Sequence, residues 1–186
     1  MRVAGRGFAV LVMLSLAAAS VFAAGAELSP RAQEAVKLLD ASDAYQRQTG
    51  FLRLEALREP ASAPIVRQYL DNKVWQTRAF AARAVAAIEG LAVGPELVER
   101  MPKEKHAMVR VAILLGVEPF KDPRLIPAVA ARLRESSPEV RMAAIDVLSR
   151  IDHPRAREAL LVQAKRETNR DVRRVLDDAM RRLFTS

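Results

Sequence analysis

An arginine recurs through this chain at a nearly constant interval. Arg47, Arg78, Arg110, Arg141 and Arg173 are separated by 31, 32, 31 and 32 residues. Other positions repeat in the same frame: residues twelve before each arginine are small or apolar, and residues ten after it are apolar. Self-similarity at a period of this length is typical of proteins in which each unit stacks on the next. We therefore predict five structural repeats.

The clearest unit is residues 122–151, which has the pattern of two short amphipathic helices joined by a polar turn. Ser137 is suited to cap the second helix, and Pro138 to occupy its first turn. Six apolar residues then recur at steps of three and four: Val140, Ala143, Ala144, Val147, Leu148 and Ile151. Because each helix is too short to be stable alone, the pair must bury its apolar stripes against itself and its neighbours.

The same pattern predicts five helix pairs and no β-strand. Residues 28–40 pair with 43–58, residues 65–70 with 74–88, and residues 95–101 with 105–117. The fourth pair lies within 122–151, and the fifth begins at His153 and turns at residues 168–171. No linker divides the repeats, so residues 27–186 are predicted to form one repeat domain.

Residues 133–148 carry a first helix ending L-x-x-(S/D)-x-x, followed by P-x-V-R-x-x-A-x-x-(A/V)-(L/I). This motif resembles the HEAT repeat family, specifically the short HEAT-like repeats of the phycobilisome-lyase type. The resemblance covers residues 30–184, although unit one has Gln46 and Gly50 where small apolar residues are usual. It implies an all-α, right-handed α-solenoid of about five two-helix repeats that serves as a protein-binding scaffold.

Residues 1–26 have the layout of a secretory signal peptide. Arg2 and Arg6 precede an apolar run from Phe8 to Ala19, and small residues follow to Ala26. We predict cleavage after Ala23 or Ala26. The alternative is an uncleaved membrane anchor, because residues 8–26 are just long enough to span a bilayer. In both cases we expect an exported repeat domain, with a bacterial periplasm as the favoured compartment and, without cysteine, no disulfide.

The chain has 30 basic and 22 acidic residues, a formal net charge of +8, and the excess lies in residues 121–186, with 15 and 10. One hypothesis is an electrostatic binder of nucleic acid or anionic envelope material through the basic C-terminal repeats, including Arg166, Arg170 and Arg174. The favoured alternative is a solvated surface of interleaved charges. Nucleic acid is disfavoured as a partner because no aromatic stacking groups accompany the arginines.

The recurring arginines have two interpretations. They could line the inner surface as a ladder for acidic ligands. In the structural interpretation, each arginine packs its stem along the neighbouring turn and binds carbonyl groups or acids there. The resemblance to HEAT repeats favours the structural interpretation of the column Arg47, Arg78, Arg110, Arg141 and Arg173.

A mostly apolar column lies four residues after the arginines and includes Phe51, Leu114 and Ile145. The second helices of HEAT-like solenoids line the concave surface, so this column could form a groove for a partner helix or peptide. Alternatively, it lies in the core between repeats, and both interpretations stay open. The candidate concave-face residues are Phe51, Leu52, Arg83, Leu114, Leu115, Glu118, Ile145 and Asp146.

The sequence contains no constellation of catalytic residues. His106 and His153 are far apart in the repeat frame, there is no cysteine, and no phosphate loop or nucleophile elbow is present. We therefore expect no catalytic residue, metal or cofactor. The predicted function is an exported, non-enzymatic scaffold that binds another protein or peptide. We expect membrane contact only through an uncleaved leader, and the oligomeric state stays open.

Overall fold

The computed structural model describes residues 27–184, and the regular structure in this range is entirely helical. The ten α-helices are α1 (Pro30–Lys37), α2 (Ala44–Leu57), α3 (Ala63–Arg67), α4 (Trp75–Glu89), α5 (Gly94–Arg100), α6 (Ala107–Val117), α7 (Ile126–Arg132), α8 (Pro138–Arg150), α9 (Pro154–Ala164) and α10 (Arg170–Phe184). The signal peptide predicted at residues 1–26 lies outside the described residues. None of the helices in the described range is long and apolar enough to cross a membrane.

The helices pack in the order expected of stacked two-helix repeats. Each odd-numbered helix packs on the even-numbered helix that follows it. The even-numbered helices, which are the second helices of the five units, also pack on one another in sequence from α2 to α10. This all-helical array is consistent with a HEAT-like solenoid, and the right-handed superhelix stays a prediction.

The first helix of unit two differs from its prediction. The sequence predicts a single helix at 65–70, whereas the segment is a 3₁₀ turn at Pro60–Ser62, the short helix α3, and a second 3₁₀ turn at Gln68–Asp71. Pro60 and Pro64 each occupy the first turn of one of these elements, where a missing N–H costs little. Each of these two prolines, four residues apart, therefore begins a separate helical element, and neither element extends into a long helix.

Side-chain caps begin four of the five second helices. Asp43 Oδ1 accepts from the Gln46 N–H at 2.8 Å, and Ser137 Oγ accepts from the Val140 N–H at 3.4 Å. His106 and Asn169 supply the corresponding acceptors before α6 and α10. Helix α4 differs, because Val74 stands at its cap position and has no side-chain acceptor. The cap predicted at Ser137 is confirmed.

Gly50 allows α1 and α2 to approach closely. A Cβ atom at this position would lie 2.8 Å from the Ala35 carbonyl oxygen and 3.0 Å from Leu38 Cβ. Contacts this short leave no room for a side chain. The departure of unit one from the repeat motif at Gly50 therefore has a steric cause.

Candidate functional site

The five recurring arginines all make the same contact within their own unit. In each, Nη1 donates to the carbonyl oxygen six residues earlier, in the turn between the two helices of the unit. The acceptors and distances are Ala41 at 2.6 Å for Arg47, Asn72 at 2.7 Å for Arg78, Glu104 at 2.7 Å for Arg110, Glu135 at 2.8 Å for Arg141, and Glu167 at 2.9 Å for Arg173. Each arginine thus closes the turn that precedes its own helix, which is the geometry of the structural interpretation.

Three of these arginines also bind a glutamate of the following unit. Arg78 Nε and Nη2 each donate to Glu104 at 2.8 Å. Arg141 donates in the same bidentate way to Glu167, whereas Arg110 Nη2 makes one bond of 3.1 Å to Glu135. We call each such pair a carboxylate rung. The rungs connect the turns of units two to five.

Two of the rung carboxylates, Glu104 and Glu167, have a lowered pKa, which favours their charged form. Hydrogen bonds from Arg78, helped by the His106 N–H, lower the pKa of Glu104 against the opposing effect of burial. Burial raises the pKa of Glu167, but hydrogen bonds from Arg141, the Asn169 N–H and Gln163 together outweigh it and lower the pKa. A buried carboxylate with several donors is stabilised in this way.

The glutamates of the rungs were missed in the sequence although their column is visible there. The residue six before each arginine is Ala41, Asn72, Glu104, Glu135 and Glu167 in turn. In units three to five, the carbonyl oxygen of this glutamate therefore accepts a hydrogen bond from the arginine of its own unit. Its carboxylate accepts from the arginine of the preceding unit. The second contact joins residues 25 or 26 apart, and the spacing within one unit does not reveal it.

The structure corrects part of the predicted concave-face set. Phe51, Leu114 and Ile145 are completely buried, with 0% exposure. They lie on α2, α6 and α8, which are second helices that pack on one another in sequence. The groove interpretation is therefore wrong for these three residues, and they belong to the core between repeats.

The residues one position later face solvent. Leu52 and Leu115 are 40% and 48% exposed, although each follows a completely buried neighbour. Tyr45 and Met108 lie seven residues before them, two helical turns away on the same face, and are also exposed. We call this face the second-helix surface and define it by Tyr45, Leu52, Arg83, Met108, Leu115 and Asp146.

Ion pairs between neighbouring second helices occupy the polar part of this surface. Arg83 Nη2 lies 2.7 Å from Glu55 Oε1, between α4 and α2. Glu118 pairs with Arg150, and Asp146 lies 3.9 Å from Arg182. The three predicted polar residues of the groove, Arg83, Glu118 and Asp146, are thus engaged within the protein.

A cleft of about 440 Å³ opens on the second-helix surface between α4 and α6. Its apolar part includes Ala86, Leu115 and Gly116, and Arg58 and Arg83 lie at its edge. Gly116 lets the two helices approach, because a Cβ atom there would lie 3.0 Å from Ala86 Cβ.

The two histidines serve as helix caps. His106 Nδ1 accepts from the Met108 N–H at 3.3 Å, and His153 Nδ1 accepts from the Arg155 N–H at 3.1 Å. His106 also stacks on Trp75, with ring centroids 3.9 Å apart. Across residues 27–184, no group of three or more His, Cys, Asp and Glu side chains is placed to hold a metal ion.

The basic C-terminal arginines do not form a uniform patch. Arg166 donates to Gln163 Oε1, and Arg170 and Arg174 are exposed. Acidic residues alternate with them on α10, where Asp178 pairs with Arg181. The observed surface therefore has the interleaved signs that the favoured interpretation expects.

Residues 94–181 match the family model described as HEAT repeats. This range contains α5 to α9 and most of α10, which form the third, fourth and fifth units. The matched residues therefore belong to the HEAT repeat family. The comparison with curated proteins gave no significant match. Assignment to the phycobilisome-lyase type of short repeat stays a prediction.

Proposed function

We propose that this protein is an exported HEAT-repeat scaffold, without catalytic activity, that binds another protein along the second-helix surface. Stacked repeats form extended surfaces of this kind, and HEAT repeats generally mediate protein–protein interaction. The site would be spread over several units, as is usual for a solenoid, and would need no cofactor.

The observation that carries the proposal is the exposure of Leu115 beside the cleft between α4 and α6. Leu115 and Met108 are both more than two-fifths exposed on the same helix face. Apolar side chains next to a cleft are typical anchor points, because a partner side chain can be buried there away from water. A partner helix or extended peptide with an apolar anchor would therefore fit this position.

Export is proposed from residues 1–26 alone. A basic start, an apolar run and small residues are the features that a signal peptidase recognises. Fractionation of producing cells, with mass spectrometry of the protein's N-terminus, tests this part of the proposal. A periplasmic protein that begins at Ala24 or Glu27 is the expected result. A full-length cytoplasmic protein would contradict it.

The binding surface can be tested with one pair of variants. Leu115→Glu introduces a charge on the second-helix surface, and Leu161→Glu introduces the same charge at a similarly exposed leucine on α9, a first helix. A photo-cross-linking residue at position 108 would capture the partner from the periplasm. We expect cross-linking to be retained in Leu161→Glu and reduced about tenfold or more in Leu115→Glu.

Two controls complete this experiment. Both variants must keep the circular dichroism spectrum and melting temperature of the parent protein. Cross-linking should also persist at high ionic strength, because an apolar anchor is not screened by salt. Equal cross-linking in the two variants, or complete loss at high salt, would reject the second-helix surface as the binding site.

A further inference from the structure

The junction between units one and two lacks a carboxylate rung. Where units three to five have a glutamate, unit two has Asn72. Asn72 keeps the local contacts of that position: its Oδ1 accepts from the Val74 N–H at 2.9 Å, and its carbonyl oxygen accepts from Arg78. Its side chain is one methylene shorter than glutamate and carries no charge, so it does not reach Arg47.

Arg47 is nevertheless held like the arginines of the complete rungs. Its Nη1 donates to the carbonyl oxygens of Ala41 and Ser42 at 2.6 and 2.7 Å, and the side chain is half-buried. Within residues 27–184, Arg47 Nε and Nη2 have no acceptor. This is the edge with which Arg78 and Arg141 bind a carboxylate.

A pocket of about 250 Å³ lies beside Arg47, between α2 and α4. Arg47 lines it together with Tyr45, Val74 and Phe80. Gln48, Gln76 and Thr77 also line the pocket. Tyr45 is 76% exposed and Val74 is 44% exposed, so solvent reaches part of its apolar lining. Tyr45 also belongs to the second-helix surface, and the pocket is therefore continuous with the surface proposed to bind a partner.

We propose that this open rung, the pocket containing Arg47, Tyr45 and Val74, binds a carboxylate of an acidic segment of a partner polypeptide. The carboxylate would accept from Arg47 Nε and Nη2, and a neighbouring apolar side chain would pack on Tyr45 and Val74. The proposal rests on the proposed function, because it takes the ligand to be a segment of the bound protein.

Carboxylate is the favoured ligand because the protein itself supplies three examples. Glu104, Glu135 and Glu167 bind the equivalent arginines at 2.8–3.1 Å. The planar guanidinium matches a carboxylate in two parallel hydrogen bonds, and such charge-assisted bonds are about twice as strong as neutral ones.

Asn72→Glu tests the proposal by filling the rung from within the chain. The new carboxylate would occupy the place of the ligand, so binding should fall about tenfold or more while the melting temperature rises. Asn72→Gln is the matched control, because glutamine has the length of glutamate without its charge. Binding to Asn72→Gln should stay within about twofold of the parent protein.

The probe is the acetylated and amidated tripeptide Leu-Glu-Leu, with Leu-Gln-Leu as its neutral counterpart. Binding is followed by NMR through the Arg47 Nε–H signal, which the Arg47→Lys variant identifies. We expect this signal to shift with Leu-Glu-Leu only, and not in Asn72→Glu. Equal shifts with both peptides, an unchanged response in Asn72→Glu, or stronger binding of inorganic phosphate than of Leu-Glu-Leu would overturn the proposal.

The partner experiment separates this proposal from the proposed function. If Leu115→Glu prevents partner cross-linking but Asn72→Glu does not, the second-helix surface stands and the open rung is not used by that partner. If Leu-Glu-Leu binds at Arg47 but Leu115→Glu leaves partner cross-linking unchanged, the open rung stands and the proposed surface fails.

Discussion

Arg141 and Glu167 form a bidentate ion pair across the junction between units four and five, with Nε–Oε2 and Nη2–Oε1 distances of 2.9 and 3.0 Å. The Glu167 side chain is 3% exposed and the Arg141 side chain 13%. The same carboxylate accepts from Gln163 and from the Asn169 N–H. One buried glutamate thus joins two neighbouring units and the turn that contains it.

The first prediction concerns this rung. Glu167→Ala leaves the Arg141 guanidinium buried without its carboxylate, and loss of one partner of a buried ion pair costs roughly 3–5 kcal/mol. We expect the free energy of unfolding in urea to fall by about 3 kcal/mol. Glu158→Ala, at an exposed position on α9, should change it by less than about 0.5 kcal/mol. Equal effects of the two substitutions would show that the rung does not stabilise the array.

The second prediction follows from the lowered pKa values of Glu104 and Glu167. Because both carboxyls have a lower pKa in the folded protein than in the unfolded chain, the unfolded chain binds more protons as the pH falls. Their stabilising contribution is therefore complete above about pH 5 and is lost as the pH falls through their folded pKa values. Urea midpoints measured from pH 7 to pH 3 should stay level and then decline.

The control for this pH dependence is the double variant Glu104→Gln and Glu167→Gln. Without the two titrating groups, its stability should be lower at pH 7 and should decline less steeply below pH 5. A parent protein whose stability rises on acidification would contradict the assignment.

The third prediction concerns two residues with left-handed backbone conformation. Arg58 and Lys121 have φ angles of 51° and 50°, and each lies just after the last turn of a second helix or its 3₁₀ extension. Side chains with a Cβ atom pay about 1 kcal/mol in this conformation, which glycine adopts freely. Arg58→Gly and Lys121→Gly should each raise the free energy of unfolding by up to about 1 kcal/mol. Arg53→Gly, within α2, should lower it by a similar amount.

The fourth prediction uses two adjacent leucines on α6. Leu114 is completely buried and Leu115 is 48% exposed. Leu114→Glu places a charge in the core between repeats and should unfold unit three, with loss of helical circular dichroism. Leu115→Glu should change the free energy of unfolding by less than about 1 kcal/mol. If the Leu114→Glu protein instead stays folded, Leu114 does not belong to the core, and the groove interpretation of its column is supported.

Much of the fold followed from the sequence because the relevant signals are local. The apolar stripe from Val140 to Ile151 and the Ser137–Pro138 helix start act within one unit, and the arginines mark the same position in each unit. The structure confirms this cap and the helix pairs, apart from the divided first helix of unit two. Gly50 is a visible departure from the motif in the sequence. Its cause became visible only when α1 was placed against α2.

The sequence alone determined the repeating unit, which consists of two helices and the turn between them. Helical periodicity and capping depend on residues only a few positions apart. The tertiary structure decided which side of each second helix is buried. Leu114 and Leu115 are the same amino acid at adjacent positions, and only the packing of α6 between α4 and α8 separates core from surface. The tertiary structure also decided that Arg78 has a carboxylate rung and Arg47 has none. The glutamate of a rung belongs to the following unit, and it reaches the arginine only when the two units stack.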